Sequence, residues 1–165
     1  MRRPSFGAWV LAFTWCAWAA FAGALLQLEA GGWAPDLVLL LLASVVAARG
    51  RRAHLGLAAC AACARSALSM TSPLVLLSAM VLAFLAARGV ASVLDREGFL
   101  GRVGIAGAAA LTFHGWRALA CASRGEPAAL EGLAGPVLVT TLLAPVLLPV
   151  LVRLPGLRPF TGRRA

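Results

Sequence analysis

Between residues 8 and 152 the chain is a succession of six apolar runs, and most of the charges fall in the short gaps between them. A helix that crosses a bilayer needs about 20 mostly apolar residues, with a range of roughly 17–25. The runs cover residues 8–28, 33–48, 55–70, 73–94, 103–122 and 133–152. The second and third are shorter than the rest and are joined by the charged turn Arg49-Gly50-Arg51-Arg52, which predicts a tight hairpin or short tilted spans.

Composition excludes the soluble alternative. The 165-residue chain is 61% hydrophobic and 13% charged. A soluble domain is about 45–50% apolar and about 25% charged. Too little polar surface remains to coat a water-soluble globule, whereas lipid covers an apolar exterior. The expected fold is therefore all-α: a polytopic transmembrane bundle of about six helices, forming one domain over residues 1–165. Residues 153–165 form a short basic tail.

The net charge of +9 comes from 15 arginines set against six acidic residues. They cluster at the ends of apolar runs and form no basic face with interleaved aromatics, so nucleic acid is not the expected partner. With six alternating helices and a cytoplasmic N-terminus, twelve arginines lie inside: Arg2, Arg3, Arg49, Arg51, Arg52, Arg88, Arg96, Arg102, Arg153, Arg158, Arg163 and Arg164. Arg124 alone is external, while Arg65 and Arg117 fall within runs. Lys and Arg accumulate on the cytoplasmic side of membrane proteins, so this orientation places both termini in the cytoplasm. Four acidic residues, Glu29, Asp36, Glu126 and Glu131, then face outward. The basic tail is expected to contact anionic lipid. The first run also has a rival reading as a signal peptide, ending at Ala20-Phe21-Ala22, but its length and the late Trp15 and Trp18 favour a retained helix.

Charges inside apolar runs are costly and so mark candidate sites. Arg65 and Arg117 each lie about five residues from the outer ends of their runs, roughly 7–8 Å deep at 1.5 Å per residue. They could snorkel to the interface or pair internally. His114 and Arg117 are three apart and share a helix face. With Arg65 and the neighbouring Ser66 they predict an intramembrane polar patch or partner contact, for which Asp36 is the expected counter-ion. No nucleophile–base pair, glycine-rich phosphate loop or zinc cluster is present in the pattern. Neither catalysis, nor a metal, nor a cofactor is expected. Cys60-Ala61-Ala62-Cys63 reads as small apolar helix residues, since no second ligand pair accompanies it.

Small residues four apart, such as Ala19 and Gly23, Gly56 and Cys60, Ala59 and Cys63, and Gly104 and Ala108, predict close helix packing. Pro136, Pro145 and Pro149 remove backbone donors from the sixth run and predict a bent or broken helix packed against protein.

Three segments resemble the bacterial rod shape-determining membrane proteins of the MreD type. Pro35-Asp36-Leu37 looks like the family's P-D-L opening of helix two, and residues 64–74 look like its helix-three ending and following turn. Residues 142–153 look like its last helix with a basic end. Ser66 stands where that family usually has Asp, and Leu74 near its usual Gly. The resemblance implies a non-catalytic subunit of the inner (plasma) membrane. Such a subunit supports cell shape and cell-wall biogenesis by binding an MreC-type scaffold, a peptidoglycan glycosyltransferase and a transpeptidase. The six-helix plan is also similar to the substrate-binding components of vitamin uptake transporters, which gives the alternative of a small-molecule-binding subunit.

Overall fold

The computed structural model describes residues 5–48, 54–125, 133–155 and 157. Arg2, Arg3, Arg49, Arg51, Arg52, Glu126, Glu131, Arg158, Arg163 and Arg164 lie outside the described residues. Within them all regular structure is helical: α1 (Phe6–Ala30), a single 3-10 turn (Gly31–Trp33), α2 (Leu37–Ala47), α3 (His54–Ser66), α4 (Pro73–Val93), α5 (Phe99–Ala122) and α6 (Ala134–Leu151).

Three of these helices, α1, α4 and α6, are long and apolar enough to cross a membrane. The length of α5 matches them, but Arg102, His114, Arg117 and four glycines dilute its apolar character. The helices α2 and α3, at 11 and 13 residues, are too short. At 1.5 Å per residue they extend only about 17 and 20 Å, against a hydrocarbon core of about 30 Å.

The short α2 is the centre of the bundle. It packs against all five other helices, and nine consecutive residues, Val38–Val46, are buried. A helix that is apolar all round must be enclosed on every side, and here protein encloses it. Its neighbours are two-faced. The stripe Ala8, Ala12, Cys16, Ala20 and Gly23 is the buried side of α1. Ala79, Ala83, Ala87 and Ala91 play the same part on α4.

Small residues of α1 and α4 thus pack against the large buried side chains of α2, while many other large side chains lie on the outside, with Trp18, Leu85, Leu111, Leu142 and Val146 all exposed. The apolar exterior is compatible with a membrane protein, in which small residues let helix backbones approach closely. Two contacts show how close the approach is. A Cβ at Gly135 would meet the carbonyl oxygen of Gly32, and one at Gly101 would meet that of Asp95. Gly56 likewise leaves room for the Trp9 ring, and Gly104 for Leu94 and Val90. Gly23 differs, since a Cβ there would meet nothing within 4 Å.

Several boundaries depart from the run lengths. The second run becomes helical only at Leu37, where Asp36 accepts the Leu39 N–H at 3.2 Å and caps the helix. The third ends at Ser66, four residues early, and a turn leads to Pro73 in the first turn of α4. Proline is suited there because the missing N–H would have no intrahelical partner.

Of the two outcomes expected for α6, bent or broken, the second is excluded: Pro145 and Pro149 both lie inside a continuous helix. A proline at position 149 supplies no N–H to the carbonyl of residue 145. The guanidinium of Arg102 on α5 does so instead, with Nη1 donating to the Pro145 carbonyl at 3.2 Å. Nor is the start of the basic tail a free extension, because Leu157 is fully buried and the Trp15 Nε1–H donates to the Pro155 carbonyl at 2.9 Å.

Candidate functional site

The polar residues gather at one end of the bundle, where α1 and α3 finish, α2 and α6 begin, and the second half of α5 passes. Asp36 is the hub. Its backbone N–H donates to Thr140 Oγ1 of α6 at 2.8 Å, which joins the start of α2 to the far side of the bundle. Its carboxylate caps α2 through Oδ1 and also receives Arg65. Arg65 Nη1 lies 2.8 Å from Oδ1 and 2.6 Å from Oδ2, so one nitrogen spans both oxygens. The Asp36 side chain is 3% exposed and that of Arg65 14%.

The sequence places Arg65 about five residues from the outer end of its run, which ends at residue 70. Because α3 stops at Ser66, it falls in the last turn, where a cation also meets the negative end of the helix dipole. The guanidinium rests on a ring as well: its Cζ is 4.5 Å from the centroid of the buried Phe113, a cation–π distance. Arg117 approaches the same ring at 5.8 Å.

His114 is buried and edge-on to Phe113. Its Nε2 stands 3.5 Å from Asp36 Oδ2, beyond the usual N–H···O range of 2.7–3.2 Å. Arg117 joins the site through a cavity of about 110 Å³ that it lines together with Asp36, Arg65, Gln27 and Ser69, with small residues of α1 opposite. The Nε of Arg117 is buried without a hydrogen-bond partner among the described residues.

The structure therefore brings Asp36, Arg65, His114 and Arg117 together, and it leaves Ser66 out. The Ser66 hydroxyl turns back on its own helix and donates to the Cys63 carbonyl at 2.8 Å. The carboxylate facing Arg65 comes from the start of the neighbouring α2 and not from the adjacent position in sequence.

Two participants escaped the sequence reading. Thr140 is fully buried, and the only signal was a Thr-Thr pair inside an apolar run. Phe113 carries both guanidinium contacts but looks like any apolar helix residue in sequence. Among the described residues, no group of three or more His, Cys, Asp or Glu side chains could hold a metal ion. Searches against protein-family models, curated proteins and solved structures return no match to this chain.

Proposed function

We propose that the protein is a non-catalytic, multi-pass subunit of the bacterial inner membrane that serves cell-wall elongation. In this reading it regulates cell shape by binding a single-span scaffold of the MreC type together with the wall glycosyltransferase and transpeptidase. Both termini are cytoplasmic, and the end of the bundle that holds Asp36 faces outward. The apolar outer faces of α1, α4 and α6 meet lipid and partner helices.

One observation carries the reading. Pro35-Asp36-Leu37 and Ala64-Arg65-Ser66, two of the segments that resemble the rod-shape family, are far apart in sequence and meet in a single ion pair. The pair also fixes the relative position of α2 and α3, and Thr140 adds α6. The result is a rigid end against which another membrane protein can pack.

The vitamin-binding alternative makes a different demand on the same region. Sites for small organic molecules occupy about 300–1,000 Å³, and the cavity beside Asp36 holds about 110 Å³. The volume favours the subunit reading.

Depletion in a rod-shaped host tests the proposal. Cells losing the protein are expected to widen and round while nutrient uptake is unchanged. Cells that stay rod-shaped and lose uptake of one vitamin would replace this reading with the transporter one.

A further inference from the structure

We propose that the cavity bounded by α1, α2, α3 and α5 binds a phosphate-type oxyanion, with Arg117 as its principal ligand. Four observations converge on it. The first is charge. Two guanidinium groups line the cavity against one carboxylate, and that carboxylate is engaged by Arg65 at 2.6 and 2.8 Å. Asp36 also lines the cavity and repels an incoming anion, but its charge is matched by Arg65, so the second guanidinium leaves the site net positive.

The second observation is an unmet donor. The Arg117 Nε is buried and has no acceptor among the described residues. A buried N–H left without an acceptor is costly, and a guanidinium presents its donors in a planar fork that suits phosphate oxygens.

The third is size. A cavity of about 110 Å³ is several times the roughly 10–15 Å³ that one water needs. That accommodates one tetrahedral oxyanion and falls short of the about 300–1,000 Å³ of sites for larger organic ligands. The fourth is the shape of the wall. A side chain at Gly23, which lines the cavity, would meet nothing within 4 Å. The small residues of α1 here leave a space and do not close a helix contact. Gln27, about one turn after Gly23 on α1, and Ser69 add polar groups to its lining.

The inference stands apart from the wall-elongation reading, since it concerns the isolated protein and its test leaves partner binding untouched. The oxyanion could be free phosphate or the phosphodiester of an anionic lipid headgroup, and the experiment separates them. Thermal unfolding is followed in neutral detergent with increasing inorganic phosphate, against sodium chloride at equal ionic strength. A parallel series uses mixed micelles containing phosphatidylglycerol, against phosphatidylcholine.

The expected result is a saturable rise in Tm with phosphate or phosphatidylglycerol that chloride and phosphatidylcholine do not produce. A response to phosphatidylglycerol alone assigns the site to a lipid headgroup, and a response to phosphate assigns it to a free oxyanion. Arg117→Gln is expected to weaken the apparent affinity about ten- to a hundredfold, as for loss of a charged hydrogen bond. Gly23→Leu, which fills the space and leaves every polar group in place, is expected to abolish the response. Arg117→Lys, which keeps the charge and loses the fork, should fall between wild type and Arg117→Gln. No response to either probe would overturn the proposal. So would a response that survives Gly23→Leu, which would put the anion elsewhere.

Discussion

Arg65 and Asp36 form an ion pair in which one guanidinium nitrogen lies within 2.8 Å of both carboxylate oxygens, joining the end of α3 to the beginning of α2. Removing one member of a buried pair strands the other, which typically costs about 3–5 kcal/mol. Arg65→Leu is expected to destabilise the fold by about 3 kcal/mol, since the Arg65 side chain retains some exposure. Asp36 has a second duty as the cap of α2. Asp36→Asn keeps a capping oxygen and loses the charge, so it should retain about 1 kcal/mol more stability than Asp36→Ala. The double variant Asp36→Asn, Arg65→Leu should lose less than the sum of the two single changes. Unfolding in a fixed detergent measures all four, and strict additivity would mean that the pair does not couple.

The Arg102–Pro145 hydrogen bond predicts a second coupling. Arg102→Leu leaves the Pro145 carbonyl without its donor and is expected to cost about 1–3 kcal/mol. Pro149→Ala restores a backbone N–H to that carbonyl. In the Pro149→Ala background the cost of Arg102→Leu should largely disappear. An equal cost in both backgrounds would show that Arg102 acts some other way.

How much of this was legible in the sequence depends on the kind of residue. Apolar runs bounded by arginines mark six helices, because burying backbone in lipid or protein demands them. The same runs do not tell lipid from protein as the surrounding medium, so the central place of α2 was visible only as an unusually short run. Asp36, Arg65, His114 and Arg117 stood out because charge inside apolar sequence is rare. Arg102 was read as a topology marker, and its contact with α6 depends on helix packing that one-dimensional sequence does not carry. For the same reason Thr140 and Phe113 were not singled out, and Ser66 was grouped with a site from which its hydroxyl turns away.

Glycine substitutions should divide by what a side chain would meet. At Gly135 a new Cβ runs into the Gly32 backbone, and backbone cannot give way, so Gly135→Ala is expected to lower Tm clearly. Gly89 has open space around it, so Gly89→Ala should be neutral or stabilising by about 0.5–1 kcal/mol, the usual advantage of Ala over Gly inside a helix. Equal effects at both positions would contradict the close packing of α6 on Gly32.

Topology is open to direct reading. The turn Asp95–Glu97 between α4 and α5 should lie in the cytoplasm, and Arg124, after α5, outside. Reporter fusions in that turn and after Arg124 should read inside and outside respectively. The reverse pair of signals, or the same signal from both, would break the six-helix alternation.

The central claim, that this is a binding subunit of the wall-elongation machinery, is tested most directly by what accompanies the protein. Purification from its native host in a mild detergent, followed by mass spectrometry of the associated proteins, is expected to recover a single-span scaffold together with a wall glycosyltransferase or transpeptidase. Recovery of a transporter's ATP-hydrolysing subunits in place of wall proteins would contradict the account.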